Sequence, residues 1–177
     1  VVFTNSLVVE EIDAKFWRVV EPLHYAGADR EFTVPVGFRT DFASVPRPVL
    51  WLVPRYGVYT KAAILHDYLL KSDEVSKADA DGIFRRTLRE CDVSVPRRRM
   101  MWAAVRFNSR LTGATAGDVV AFAITAVLSL LFLAIPAAVV TVFLLLFWVI
   151  ELIAWVITWA LPSLPTQAPP RPEMKSA

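Results

Sequence analysis

The sequence predicts an α+β domain followed by a transmembrane helical hairpin. Three observations predict it. Strand-like composition is confined to roughly the first fifty residues, helix-like segments follow as far as residue 111, and residues 119–161 contain a single charge, Glu151. Strands first and helices second is the order of an α+β domain, here a small β-hairpin or meander packed with about three helices. The same asymmetry explains the bulk composition. Apolar residues make up 55% of the 177 residues and the mean hydropathy is +0.46. That excess lies in the C-terminal run, the remainder being of ordinary polarity.

The strands come first. KFWRVVEPLHY (15–25) is dense in β-branched and aromatic residues, AGADR (26–30) is a turn signal, and EFTVPVGF (31–38) follows, a hairpin by pattern. Pro35 marks the second strand as an edge or a bulge. Leu7 to Ile12 adds a third strand. TDFASVPRP (40–48) is a proline-bearing connection, and LWLVPRYG (50–57) is apolar but interrupted by Pro54 and Gly57. Helices are expected over 59–71, 77–90 and 96–111. Ser76 caps the second, with Asp79 three residues on as in a capping box. Pro96 suits the first turn of the third helix, and Gly113 suits its stop. The soluble domain is thus expected over 1–113.

A single helix through 119–161 would be roughly 65 Å long at about 1.5 Å per residue, against a hydrocarbon core about 30 Å thick. Pro136 removes a backbone hydrogen bond where it stands. A membrane region at 118–161 formed of two helices broken at Pro136 is therefore expected, with one long kinked helix, or one span plus an interfacial segment, as the alternatives. Arg97, Arg98, Arg99, Arg106 and Arg110 precede the run, and Arg171 and Lys175 follow it. Positive charge stays on the cytoplasmic side, so the domain is expected inside. Glu151 is read either as pairing across helices or between copies of the chain, or as lying near an interface. The tail 162–177 is proline-rich and expected to be disordered. The N-terminal VVFTNSLVVEEID lacks the basic and apolar regions of a secretory signal, and the one cysteine, Cys91, excludes an internal disulfide.

The chemistry-bearing stretch is AAILHDYLL (62–70), which places His66 and Asp67 side by side among apolar residues. In the next helix Asp81 shares the spacing i, i+3, i+7 with Phe84 and Leu88, so it lies at or beside the buried face. Two helices joined by a short loop pack antiparallel, which allows His66 to meet Asp81. A carboxylate holding one imidazole nitrogen leaves the other free as a general base. Asp67 would be left to bind a hard cation through its oxygens or to hydrogen-bond backbone donors. The alternative is a buried polar cluster of His66, Asp67, Asp81 and Asp41 whose members satisfy one another, as buried polar groups must whether or not there is chemistry. Two histidines and one cysteine make a structural zinc site unexpected, and His-Asp phosphohydrolases need further histidines. There is no glycine-rich phosphate loop and no GxSxG elbow. RRRMMWAAVR (97–106) mixes basic and aromatic residues. Its position beside a membrane segment favours anionic lipid at Arg97, Arg98 and Arg99 over nucleic acid.

VPVGFRTDFASVPR (34–47), KAAILHDYLL (61–70), KADADGIFRRTLRE (77–90) and MMWAAVRF (100–107) together resemble the bacterial and phage family called domain of unknown function 1353, over roughly residues 30–110. The resemblance implies a phage or prophage origin and carries no assigned activity. The long apolar run lies outside the family core, making this chain a membrane-attached version. A looser similarity is to the prokaryotic calcium-dependent secretory phospholipases. It implies roles for His66 in activating water, Asp67 in holding calcium and Asp81 in orienting the histidine. The chain departs from them at the calcium loop, where RYGVY (55–59) stands, and in lacking paired disulfides. Two functions are therefore carried forward. One is a non-enzymatic membrane-anchored phage protein acting in lysis, exclusion or virion–membrane contact, with the bilayer as partner and self-association through the transmembrane helices. The other is a membrane-bound hydrolase of lipid or another ester using the His-Asp dyad.

Overall fold

The computed structural model describes residues 3–27, 30–43, 45–108, 115–161 and 168–172. Among the described residues five short strands come first: β1 (Val9–Glu11), β2 (Trp17–Val19), β3 (Leu23–Ala26), β4 (Glu31–Val34) and β5 (Arg39–Thr40). A single 3₁₀ turn (Arg47–Val49) leads to α1 (Thr60–Ser72), α2 (Lys77–Glu90), α3 (Val95–Asn108) and α4 (Ala116–Ala160). The α+β order is as the sequence predicts.

The segment 15–25 is two strands rather than one. Pro22 has no N–H to give to a ladder, and the chain bends between Val19 and Leu23. β2 therefore pairs with β1 (Val9 opposite Val19) and with β5 (Trp17 opposite Thr40), in a sheet ordered β1-β2-β5. β3 and β4 form the expected hairpin, with Leu23 opposite Val34 and Tyr25 opposite Phe32. β4 ends before Pro35. Phe38 N–H donates to the Pro35 carbonyl at 3.3 Å, and Gly37 sits at φ 85° between them. A third turn residue with positive φ needs glycine. That turn sends β5 into the other sheet.

Alternation along the hairpin turns Leu23, Tyr25, Phe32 and Val34 inward, onto Ile64, Leu65 and Leu69 of α1. Full burial of such side chains contributes about 1.5–3 kcal/mol each. A second cluster, Tyr59, Ala62, Phe84, Leu88, Val93 and Met101, binds α1, α2 and α3 together. Local signals set the helix ends. Asp73 closes α1 in the left-handed conformation, at φ 53°. Ser76 Oγ accepts from Asp79 N–H at 3.1 Å to open α2. Pro96 stands in the first turn of α3, as expected, while Gly113 lies outside the described residues.

The expected helical hairpin is not formed. α4 is one continuous helix with Pro136 inside it. A proline costs the helix one hydrogen bond, but reversing the chain requires further turn residues, and AIPAA supplies no glycine and no polar one. Thr115 opens α4 with a reciprocal capping box to Asp118. The first part of α4 lies against the domain: Phe122 stacks on Phe107 of α3 (centroids 6.4 Å apart), and Phe132 meets Trp51, just after the 3₁₀ turn, at 6.3 Å. No residue of α4 is buried. The disorder expected of 162–177 falls mostly outside the described residues. Within 168–172, the Pro170 carbonyl accepts from Trp148 Nε1 at 2.9 Å.

Candidate functional site

His66 faces inward from the middle of α1, 8% exposed, and Asp81 is fully buried near the start of α2. His66 Nε2 and Asp81 Oδ1 are 2.9 Å apart. An ionised carboxylate only accepts, so Nε2 carries the proton of that bond. The imidazole lies against the Phe84 ring, centroid to centroid 4.7 Å. The expected meeting of His66 with Asp81 is therefore realised, on the stripe that Asp81 shares with Phe84.

A third member was not expected. Arg106 of α3 is 5% exposed, and its Nη1 stands 3.5 Å from Asp81 Oδ2. At that distance the contact is an ion pair without a well-made hydrogen bond, and Oδ2 has no hydrogen-bond donor within reach. Sequence reasoning assigned Arg106 to the positive charges flanking the membrane run. The missed signal is spacing: Arg106 follows Trp102 by four residues and Ala103 by three, and both are buried. A charge on that face has to find an internal partner. One carboxylate thus ties three helices, α1 through His66 and α3 through Arg106.

Asp67, next to His66, turns elsewhere. Its Oδ2 accepts from Lys71 Nζ at 2.9 Å, one helical turn on, and its side chain is 25% exposed. Burial pushes its carboxyl up, Lys71 pulls it back, and the nearby Asp41 carboxylate pushes it up further. Asp41 and Asp67 are thus close enough to interact. Among the described residues no group of three His, Cys, Asp or Glu side chains is arranged to hold a metal ion. The Asp67 shift has a consequence for stability. A raised carboxyl binds its proton more tightly folded than unfolded. Its contribution is present in full below the ordinary value of 3.8 and is lost as pH rises through the folded value. Asp67→Asn is therefore expected to raise the thermal midpoint near neutral pH and to leave it unchanged in acid. A lowered midpoint at neutral pH would mean that the Lys71 pair outweighs burial.

Two clefts lie away from this cluster, and neither is lined by His66, Asp67 or Asp81. The larger, about 680 Å³, gathers Arg30, Arg85, Arg86, Arg89, Arg98 and Arg99 from three segments of the chain. Only Arg30 among them makes an ion pair with a described residue, to Glu74 at 3.3 Å. The smaller, about 410 Å³, lies between α3 and α4.

A family model for a protein of unknown function (DUF1353) matches residues 17–105, half of the chain. The match runs from β2 into α3 and ends one residue before Arg106, so α4 lies wholly outside it. Comparison with curated proteins and with solved structures returns no match.

Proposed function

Because the chain belongs to the family of proteins of unknown function DUF1353, its role is read from its own residues, and we propose that it is a membrane-anchored protein that works by binding. In this reading α4 crosses the inner membrane of a bacterial host and carries the α+β domain on the cytoplasmic face. A phage or prophage origin, and a task in lysis, exclusion or virion–membrane contact, belong to the same reading through the family resemblance. The observation that carries it is α4 itself. The helix is long and apolar enough to cross a membrane, and none of its most apolar stretch is buried. Water does not tolerate that much uncovered apolar surface, and lipid does.

The span is bracketed by aromatic residues, which favour the two membrane–water interfaces. Trp51 and Phe132 mark the domain side. About 20 residues cross the hydrocarbon, and counted from Phe132 they end between Trp148 and Trp155. Glu151 then falls near the far head groups, where an ionised group costs little. Arg97, Arg98 and Arg99 stand on the domain side, which supports a cytoplasmic domain. Above the bilayer, Val120, Ile124, Val127 and Leu131 leave a stripe on α4 at spacings of four, three and four, each more than half exposed. A second copy of the chain would cover that stripe by helix pairing, so self-association is placed there in this proposal.

Carbonate extraction of membranes carrying the full chain tests the anchor. The chain is expected to stay in the pellet, and its release into the supernatant would overturn the reading.

One observation favours the hydrolase as a second reading: the 2.9 Å bond between His66 and Asp81. In it His66 is the base, Asp81 its orienter, and Asp67 with Asp41 the ligands of calcium or another divalent cation. Against it stand the burial of His66 beneath Phe84 and the sharing of Asp81 with Arg106. His66→Gln separates the two readings, since it keeps a donor for Asp81 and removes the imidazole. Binding predicts no phospholipid turnover by either protein, with or without calcium. Turnover by the wild type that His66→Gln abolishes would establish the hydrolase.

A further inference from the structure

The cleft between α3 and α4 has walls of two kinds. Leu52, Met100, Leu128 and Phe132 make it apolar, and Arg97 and Arg99 make it positive. Its volume, about 410 Å³, falls within the range of small-molecule sites, about 300–1,000 Å³. Arg97 Nε is shielded from solvent and has no acceptor. A buried donor left without a partner is costly, and an added oxygen would satisfy it. Arg99 also lines the arginine-rich cleft, so the two cavities meet at one side chain. There Arg85, Arg86, Arg89 and Arg98 make no ion pair with described residues, and Arg85 lies over the Trp102 ring at 5.6 Å.

We infer that the α3–α4 cleft binds an anionic phospholipid, its phosphate held by Arg97 and Arg99 and an acyl chain laid along Leu128 and Phe132. The inference rests on the membrane-anchor reading, which brings Phe132 to the cytoplasmic interface and so sets the cleft at the level of the head groups. The arginine-rich cleft also sets Tyr25, Phe32 and Ile83 among its guanidinium groups, but of the two clefts only the α3–α4 cleft is walled by residues of α4. A free phosphate would use its arginines and leave the apolar wall bare. A nucleic acid would use the arginine-rich cleft and gain nothing from Leu128 or Phe132. A lipid uses both, and the neighbouring guanidinium groups raise the local concentration of anionic head groups.

The test uses the full chain in an uncharged detergent, offered phosphatidylglycerol or phosphatidylcholine and read by native mass spectrometry. Phosphatidylglycerol is expected to be retained in preference. Arg97→Gln with Arg99→Gln should weaken its retention roughly thirtyfold, two basic side chains' worth of attraction. Leu128→Trp fills the apolar wall without changing charge and should reduce retention as well, while Arg97→Lys with Arg99→Lys should keep most of it. Equal retention of the two lipids, or no change in the glutamine double variant, would overturn the site. So would displacement of the lipid by an equal concentration of inorganic phosphate or of a short oligonucleotide. Carbonate extraction separates the two failures. A chain that stays in the pellet without lipid preference refutes the site alone, and a chain that is released refutes the anchor.

Discussion

Asp81→Ala is expected to cost about 3–5 kcal/mol of folding stability, the range for removing one partner of a buried ion pair. The carboxylate is fully buried and engages two other buried groups, His66 at 2.9 Å and Arg106 at 3.5 Å. Its loss takes an acceptor from an imidazole and the facing counter-charge from a guanidinium. Both groups are nearly buried, His66 at 8% and Arg106 at 5% exposed. Asp81→Asn keeps an acceptor for His66 but drops the charge, and should fall between alanine and wild type. Replacing the cluster together, as His66→Leu, Asp81→Leu and Arg106→Met, should recover much of the loss, because well-packed apolar residues carry no desolvation cost. The measurement is the thermal midpoint of the domain within the full chain. About 4 °C per kcal/mol applies to a domain of roughly 110 residues, so Asp81→Ala should melt lower by at least about 12 °C. A midpoint within about 2 °C of wild type would mean that the three helices are tied by their apolar contacts alone.

How far this arrangement was legible in the sequence differs from element to element. The ends of α1 and α2 were readable within a residue because the signals are local, as with Ser76 and Asp79. The contact of His66 with Asp81 was readable because Asp81 repeats with Phe84 and Leu88 on a stripe that has to turn inward. Arg106 was not read as part of it. Its neighbours in the chain lead into the apolar run, which offers a cationic side chain an equally good explanation at the membrane surface. Pro22, which the sequence reading passed over, and Pro136 act in opposite directions. Pro22 interrupts a ladder whose partners need its missing N–H, so it splits a strand that composition favours. Pro136 stands where every neighbour is apolar and helical, so the helix absorbs the lost bond. The arginine-rich cleft was beyond reach, since Arg30, Arg85 and Arg99 are brought together only by the packing of the hairpin, α2 and α3.

Phe143→Arg is expected to impair insertion of α4 by about 2.5–3.5 kcal/mol, the cost of arginine at the centre of a membrane helix. Phe143 is 67% exposed, and in the proposed register it stands near the middle of a span that starts at Phe132 and ends between Trp148 and Trp155. Leu130→Arg makes the same chemical change on the same helix, at a side chain 68% exposed. In this placement Leu130 lies at the cytoplasmic interface, where an arginine reaches the head groups along its own stem, and the cost is expected to be small. The comparison decides among registers that length alone leaves open. A bilayer over the first half of α4 would put Leu130 near its centre and Phe143 near its edge, and the two effects would exchange. It would also draw Arg97 and Arg99 toward hydrocarbon, because both line the cleft against Leu128 and Phe132. The fraction of each variant that resists carbonate extraction is the measurement. A Leu130→Arg chain that is extracted while Phe143→Arg stays in the pellet would move the bilayer toward the domain and take the level of the proposed lipid site with it.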